Sequence, residues 1–385
     1  MTVLANTVTA IEPDDRERTL AERQIELVVM LADLCARPPR WHGERHQRGD
    51  IACAFFLISA ANLAWVEAAA AHPHVRAVPV SIEAMGSFAA IEASIATGRL
   101  QLVISGSGPG TLGHLWAIAA ARAQGASVLV LVPRTPPELA GSNDIQEASY
   151  DQPLHVVGAR LYDRVIAMED VAQMPRIART LRQLFARPQG VVAQLSVPTN
   201  LLGAPCPPLP RLDAVRIELP SPSAAAIARV AELLSAPGGR PAFLFGSGAV
   251  AFRDRLSALV ERWGAVHFST PAAAAVVPGS LGVIGNAASG DIARRLLELE
   301  VSCLVVLGSR LAIASGGGDH ALLPPGCHVV HIDADPDVIA GNAVATWGHG
   351  VTFIPSDIGE FLDALQRVAP KPQIHAVQPP QKGPS

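Results

Sequence analysis

The sequence predicts an α/β protein with two doubly wound domains, each built on a parallel β-sheet. Apolar runs of strand length alternate with helical patterns from Ile51 onward, and the alternation restarts after a proline-rich stretch at residues 203–222. Strands that alternate with helices indicate parallel sheets covered by helices on both faces. Hydrophobic residues make up 49% of the chain and aromatic residues only 4%, so we expect cores of Ala, Val, Leu and Ile.

The first predicted domain covers residues 20–202. Residues 1–20 are polar and are expected to be frayed, whereas a helical pattern over 20–36 ends before Pro38, because proline cannot continue a helix. Six strands are predicted at 51–59, 75–80, 100–105, 127–133, 164–168 and 190–197, with helices near 62–71, 82–97, 111–124 and 171–186.

The second predicted domain covers residues 223–368 and follows the proline-rich linker at 203–222. Its tail, residues 369–385, is rich in Pro, Gln and Lys and is predicted to be disordered. Strands are predicted at 241–248, 265–270, 302–309 and 328–335, with helices near 224–234, 251–263 and 290–299.

Charge and hydropathy narrow the classes of function. The net charge is −4 and no basic stripe is present, which argues against nucleic-acid binding. The mean hydropathy is +0.29, but no run of about 18 uninterrupted apolar residues suggests a membrane span. The first 18 residues lack the apolar core of a signal peptide, so we expect a cytoplasmic protein.

The cysteines form no C-x-x-C pair and are predicted to be reduced core residues; they are Cys35, Cys53, Cys206, Cys303 and Cys327.

Two motifs at strand ends stand out in the first domain. Glu83 lies where a strand gives way to a helix that ends in A-T-G-R at residues 96–99, and the turn S-G-S-G-P-G follows at 105–110. Taken alone, a carboxylate at a helix start complements the helix dipole. A glycine turn before a helix is either a tight turn or a phosphate site, and no P-loop lysine follows it.

Together these motifs resemble the pyrimidine-binding domain of the acetolactate synthase, pyruvate oxidase and benzoylformate decarboxylase family, whose members depend on thiamine diphosphate (ThDP). Glu83 precedes Arg99 by sixteen residues, as the family spacing has it, and S-G-P-G follows at 107–110. The segments GSNDIQEAS at 141–149 and RPQGVVAQLSVPTNL at 187–201 resemble later parts of the same domain.

The resemblance implies a role for each matching residue. Glu83 corresponds to the carboxyl group that hydrogen-bonds N1′ of the aminopyrimidine and promotes the imino tautomer, which removes the C2 proton of the thiazolium. The alternative is that Glu83 only begins a helix. The cofactor-binding residues implied by the resemblance are Ser107, Gly108, Pro109, Gly110 and Gln146.

Two departures from the family pattern bear on the reaction. Ile82 stands where the family usually has histidine or another polar residue, and the loop at 56–60 is apolar where simple decarboxylases carry an aspartate. This favours a ligase or lyase with an apolar pocket over a pyruvate decarboxylase, and it leaves a degenerate site open. His114 either faces the cofactor or is a helix histidine whose bonds are satisfied internally.

The second domain carries motifs at three strand ends, which are PAFLFGSGAV at 241–250, VVLGSRL at 305–311 and VVHIDADPDVIAGN at 329–342. They resemble the Rossmann-like central domain of the same family, which binds FAD, ADP or no nucleotide in different members. The glycines can equally serve strand–helix turns, and the aspartates can cap a turn around Pro336. The possible nucleotide-binding residues are Gly246, Ser247, Gly248, Arg310, Asp333 and Asp335.

The family's diphosphate-binding motif, G-D-G followed by N-N, does not occur in the 385 residues, and no metal ligands are predicted. We therefore expect a separate subunit that binds the diphosphate and Mg²⁺, with ThDP shared between the two chains of a heterotetramer. The predicted activity is decarboxylation of a 2-oxo acid and transfer of the acyl or aldehyde unit, as in acetolactate synthase. The alternatives are a non-catalytic scaffold or regulatory subunit, and a nucleotide-binding protein that acts through the second domain.

Overall fold

The structure is a computed structural model that describes most of the chain. The described residues are 17–36, 51–139, 159–187, 190–212, 218–237, 239–284, 289–311, 323–335, 338 and 350–368. They divide into two compact units, the first holding the described residues up to 212 and the second those from 218 onward. The predicted tail at 369–385 lies outside the described residues.

A six-stranded sheet forms the centre of the first unit. Its strands are β2 (Ala52–Phe56), β3 (Val75–Pro79), β4 (Gln101–Ile104), β5 (Val128–Arg134), β6 (Arg164–Ala167) and β7 (Val192–Pro198). The spatial order is β3-β2-β4-β5-β7-β6, and every pair is parallel. The predicted doubly wound α/β architecture is therefore confirmed for this unit.

Helices cover both faces of this sheet. They are α1 (Leu20–Leu34), α2 (Leu63–Ala71), α3 (Glu83–Thr97), α4 (Pro109–Leu112), α5 (Leu115–Gln124) and α6 (Met174–Phe185). Alternate residues of β5 enter different clusters: Leu129 and Leu131 join the core with α1, α2 and α6, while Val128 and Val130 join the core with α3 and α5. The helix predicted at 111–124 is in fact two helices, because residues 113–114 interrupt the helical conformation between α4 and α5.

A short antiparallel ladder joins two segments for which the sequence predicted no structure. Strand β1 (Arg18–Thr19) pairs with β8 (Pro205–Cys206), inside the stretches predicted as a frayed end and a linker. Thr19 also caps α1, because its hydroxyl accepts from the amide of Glu22 while the Glu22 carboxylate accepts from the amide of Thr19. Two-residue strands leave no periodic pattern, so the sequence could not indicate them.

The second unit holds a smaller parallel sheet of five strands. They are β9 (Arg240–Phe245), β10 (Val266–Ser269), β11 (Val301–Leu307), β12 (His328–Asp333) and β13 (Val351–Pro355), in the order β10-β9-β11-β12-β13. Its helices are α7 (Ala224–Leu234), α8 (Arg253–Trp263), α9 (Ser289–Glu298) and α10 (Ile358–Gln366). The sequence had not predicted β13 and α10.

The five cysteines are free in the structure, as predicted, and three of them are buried. Burial raises the pKa of Cys206 to about 11 and that of Cys327 to about 12, so these thiols stay protonated. Among the described residues, no helix combines the length and the apolar character that crossing a membrane requires.

Candidate active site

The order of the strands creates a topological switch point at the carboxyl-terminal edge of the six-stranded sheet, where the parallel strands end. From β2 the chain passes to β3 on one side, and it then returns to form β4 on the other side of β2. Ligands in open α/β sheets bind at such a switch point, outside the carboxyl ends of the strands. The segments that leave β2, β3 and β4 at this edge are the loop at 57–62, Glu83 with the residues before it, and the glycine turn at 105–110.

Glu83 is the first residue of α3, and close packing fixes where this helix begins. The N-cap is Ile82, whose side chain makes no capping hydrogen bond, so the acidic first turn itself complements the helix dipole. At Gly86 a β-carbon would lie 3.1 Å from Cγ2 of Val80 and 3.5 Å from Cβ of Phe55. The absence of a side chain there lets α3 lie close against the strand edge.

The side chain of Glu83 extends over the glycine turn. A β-carbon on Gly110 would lie 2.9 Å from Oε1 of Glu83, and one on Gly106 would lie 3.6 Å from the same atom. At Gly113 a β-carbon would meet Cβ of Glu83 at 3.1 Å and Oε2 at 3.5 Å. Three glycines therefore form a cradle that gives the carboxylate its place.

The Glu83 carboxylate has no hydrogen-bond partner among the residues that the structure describes. It is partly buried, and large apolar side chains near it in sequence or at the same sheet edge are exposed. Their exposed fractions are 62% for Ile58, 50% for Ile82, 56% for Met85 and 40% for Leu112. An unbonded carboxylate near exposed apolar side chains is typical of a ligand site.

The remaining residues of the predicted cofactor turn lie at the same edge. Gly108 has φ 57° and ψ −118°, a conformation that favours glycine, and Pro109 opens α4 at its first position. The amide of Gly110 donates to the carbonyl of Ser107 at 3.3 Å. Ser107 is buried. The four residues thus belong to the turn whose Gly110 lies against Glu83, and their role in binding the cofactor stays a prediction. Gln146 lies outside the described residues, so its role also stays a prediction.

Asn62 is a positioning residue that the sequence did not single out. It is fully buried, and its amide nitrogen donates to the carbonyls of Leu57 at 2.9 Å and Ser105 at 3.0 Å. Its amide oxygen accepts from the backbone of Ser59 at 2.9 Å. Asn62 thereby joins the apolar loop after β2 to the end of β4, and nothing in the local sequence distinguishes this contact.

His114 lies beneath the start of α3 rather than at the surface of the site. It is 1% exposed, and its Nδ1 lies 2.7 Å from Oγ of Ser87, one helical turn after Glu83. Burial lowers the pKa of His114 to about 4, while a weaker contact with the Glu83 backbone acts in the opposite direction. The imidazole is therefore neutral near pH 7.

The second unit also has glycine turns at its switch point, between β9 and β11. A β-carbon on Gly246 would lie 2.6 Å from Cα of Ser309, and one on Gly248 would lie 3.0 Å from Cα of Gly308. The amide of Gly246 donates to the carbonyl of Leu307 and that of Gly248 donates to the carbonyl of Gly308. The two turns therefore pack directly against each other.

The other predicted nucleotide-site residues lie at the same edge of the second sheet. Asp333 accepts a 2.9 Å hydrogen bond from the amide of Asp335. Burial raises the pKa of Asp333, and the hydrogen bond from the Asp335 amide, with a smaller contribution from Arg310, partly opposes this effect. His331, which the sequence did not single out, lies 2.8 Å through Nε2 from the carbonyl of Ser309. These contacts hold the edge together internally, and nucleotide binding stays a prediction.

Among the described residues, no group of three or more His, Cys, Asp or Glu side chains is arranged to hold a metal ion.

Two family models match the chain. Thiamine pyrophosphate enzyme, N-terminal TPP binding domain, matches residues 47–154, and thiamine pyrophosphate enzyme, central domain, matches residues 227–365. Thiamine pyrophosphate (TPP) is another name for ThDP.

A curated relative and a solved structure agree with these matches. The sulfoacetaldehyde acetyltransferase of Rhodobacter capsulatus is 26% identical over 272 residues, which cover 66% of this chain and 43% of that protein. The chain thus spans less than half the length of this relative. The thiamine diphosphate-dependent 4-hydroxybenzoylformate decarboxylase of Rhodococcus jostii RHA1 matches with a TM-score of 0.73 at 18% identity, covering 95% of this chain and 65% of that one. This second likeness shows a shared fold.

Proposed function

The chain belongs to the thiamine pyrophosphate enzyme family, of which it carries the N-terminal and central domains, and from this premise we propose that it activates the pyrimidine ring of ThDP. In this proposal the complete enzyme decarboxylates a 2-oxo acid and transfers the acyl or aldehyde unit to an acceptor. The observation that carries the proposal is the Glu83 carboxylate, held over a glycine cradle without a hydrogen-bond partner in the described part of the chain.

The residues around Glu83 fit an aminopyrimidine ring. Such a ring has two flat apolar faces and a polar edge, and this end of the sheet offers exposed apolar side chains and one unbonded carboxyl group. Bound ThDP would supply the carbanion chemistry. Glu83 would hold a proton at its carboxyl oxygen and share it with the ring nitrogen, and the turn at 107–110 would help to hold the ring. The apolar side chains of Ile58 and Met85 would exclude water.

The diphosphate and Mg²⁺ are proposed to bind to a second polypeptide. Mg²⁺ prefers carboxylate, amide and phosphate oxygens. The sequence contains no G-D-G and N-N pair that would offer such oxygens. A heterotetramer in which each ThDP lies between the two kinds of subunit would supply both halves of the cofactor site.

Reconstitution tests this proposal. The full chain would be mixed with a G-D-G…N-N protein of about 180–200 residues encoded beside it, a size that suits one domain. ThDP, Mg²⁺ and a panel of 2-oxo acids would be added, together with sulfoacetaldehyde, which the name of the acetyltransferase relative suggests. We expect CO₂ release from a 2-oxo acid only when both proteins and both cofactors are present. No CO₂ release from any 2-oxo acid would contradict the proposal, and turnover of sulfoacetaldehyde alone, which has no carboxylate to lose, would overturn the proposed decarboxylation.

A non-catalytic scaffold or regulatory subunit is the second candidate. The observation that favours it is the apolar loop after β2, where Ile58 and Ala60 are exposed and offer no catalytic group. A scaffold would bind an intact ThDP enzyme and change its activity or assembly, and Glu83→Gln would leave that effect unaltered. Loss of turnover in Glu83→Gln, with binding to the partner preserved, would exclude the scaffold function.

A further inference from the structure

A buried polar pair lies directly beneath the first turn of α3. Ser87 is 0% exposed and His114 is 1% exposed, and Oγ of Ser87 is 2.7 Å from Nδ1 of His114. Ser87 follows Glu83 by one helical turn, so both residues belong to the same face of the helix. The pair therefore lies under the segment that carries the catalytic carboxyl group of the proposed function.

The backbone that carries His114 contacts the same helix turn a second time. Gly113 lies against the side chain of Glu83, since a β-carbon there would be 3.1 Å from Cβ of Glu83. The next residue, His114, reaches Ser87 and also accepts the amide of Ile118 at the start of α5. The short segment 113–114 thus links the start of α5 to both ends of the first turn of α3.

Burying this polar pair in the core costs desolvation free energy. Nε2 of His114 is buried without a hydrogen bond of good geometry among the described residues, and the imidazole makes only a weak contact with the Glu83 backbone. Replacing both members of a buried polar pair by apolar groups is often neutral or stabilising, because no desolvated polar atom then remains. Overall folding stability therefore does not explain the pair, whereas a directional hydrogen bond does fix the orientation of the turn above it.

We propose that Ser87 and His114 are positioning residues that fix the first turn of α3, so that the Glu83 carboxylate stays over the glycine cradle and faces the ligand. This inference rests on the proposed function for its catalytic consequence. Its structural part, that the pair holds the turn, can be tested on the full chain alone.

The first test separates the local effect from the global one. Four variants are compared: His114→Leu, the double variant Ser87→Ala with His114→Leu, His114→Asn, and Ser94→Ala as a matched control. In the first two we expect amides 86–88 to exchange about tenfold faster, because they form the first hydrogen bonds of α3. The urea midpoint should stay equal or rise in the double variant, whereas it should fall in His114→Leu alone, because Oγ of Ser87 is then buried without its partner. In His114→Asn the amide group can replace Nδ1 and should restore protection.

Ser94 is the matched control because it lies on the same helix, is buried, and accepts a 2.8 Å hydrogen bond from the amide of Ser127. Ser94→Ala should lower the urea midpoint without changing exchange at 86–88. Equal protection of these amides in wild type and His114→Leu would overturn the inference. Failure of His114→Asn to restore protection would do the same.

The second test uses the reconstituted enzyme. His114→Leu should lower kcat about tenfold with little change in KM for the 2-oxo acid, since a small misplacement of a catalytic group mainly costs rate. In the Glu83→Gln background the same substitution should cost nothing further, because the pair acts through Glu83. An equal loss in both backgrounds would overturn the positioning role. If wild type turns over no donor, the proposed function fails, while amide exchange still decides whether the pair holds the turn.

Discussion

The glycine turns of the two units occupy equivalent places in their sheets but are filled by different groups. In the first unit, β-carbons on Gly106 and Gly110 would meet the carboxylate of Glu83, a side chain from a different strand end. In the second unit, a β-carbon on Gly308 would lie 2.7 Å from Cα of Gly248, so backbone meets backbone. One turn makes room for a chemical group, whereas the other closes on its neighbour.

This difference shows why a glycine-rich pattern after a strand does not by itself identify a binding site. Both turns follow a strand of a parallel sheet at a topological switch point, where ligands are expected. The two turns differ in what fills the space beside them and in whether the polar groups there already have hydrogen-bond partners. Glu83 keeps its carboxylate free of partners in the described residues, while the amides of Gly246 and Gly248 are already bonded to carbonyls.

The largest effect is expected when the carboxyl group in the first turn is removed. Glu83→Gln keeps the shape of the side chain but cannot exchange a proton at N1′, so turnover should fall by about 10²–10⁴-fold, the usual size of an acid–base contribution. The free energy of unfolding should change by less than about 1 kcal/mol, because only a helix-dipole interaction is lost. Steady-state CO₂ release and urea unfolding measure the two quantities.

Glu92→Gln is the control for this substitution. Glu92 lies on the same helix and is exposed, so the same chemical change occurs away from the cradle. It should retain full turnover. Equal activities of the two variants would show that the carboxylate in the cradle is not a catalytic group.

The next-largest effect, on the free energy of unfolding, is expected from a substitution in the closely packed turn of the second unit. Gly308 has φ +62°, and a β-carbon there would lie 2.8 Å from the amide nitrogen of Ala249. Gly308→Ala should lower the free energy of unfolding by about 2–5 kcal/mol, from overpacking and the left-handed backbone together. Gly326→Ala is matched in φ, at +80°, but has open space around it, so it should cost only about 1–2 kcal/mol. Urea unfolding of the full chain compares them, and equal costs would show that the turns are not tightly packed.

Acid should weaken the first unit through its buried imidazole. The pKa of His114 falls from an ordinary 6.5 to about 4 on folding, so between these values the unfolded chain binds a proton that the folded unit does not. Stability is therefore undiminished above pH 6.5 and falls as the pH drops towards 4, by at most about 3 kcal/mol. His114→Asn cannot titrate and should flatten this dependence. Urea unfolding between pH 7.5 and 4.5 measures the free energy of unfolding of wild type and of His114→Asn. The same dependence on pH in both proteins would show that the imidazole is not buried in its neutral form.

The sequence predicted both sheets and the turn that meets Glu83, because long periodic runs and short motifs are local signals. It could not predict the interruption between α4 and α5. Gly113 lies there, and its contact with Glu83 leaves no signal in the neighbouring sequence. The same holds for Asn62 and for Ser87 with His114, whose partners lie 43 and 27 residues away in the chain. The motif that names a catalytic carboxylate is local, whereas the contacts that position it are long-range.

A smaller effect is expected from filling the cradle. In Gly110→Ala the new β-carbon would lie 2.9 Å from Oε1 of Glu83, the end of a flexible side chain that can move aside. Stability should therefore change by less than about 1 kcal/mol, as for most substitutions that force no core change. Turnover should fall by about 10- to 100-fold, because the carboxylate is displaced. Gly203→Ala, where nothing lies within 4 Å, is the control and should keep full activity. Full activity of Gly110→Ala would place the reacting carboxylate elsewhere.

The smallest expected effect is an absent one: we predict that the purified protein carries no flavin. A nucleotide diphosphate at a strand–helix turn needs free backbone amides and an open approach. In the second unit the amides of Gly246 and Gly248 donate to Leu307 and Gly308, and a larger group at Gly246 would collide with the backbone of Ser309. The ultraviolet-visible spectrum of the full chain, before and after incubation with excess FAD and gel filtration, measures this directly. A flavin band that co-elutes with the protein in stoichiometric amount would show that the two turns open, and would make both glycine turns binding sites.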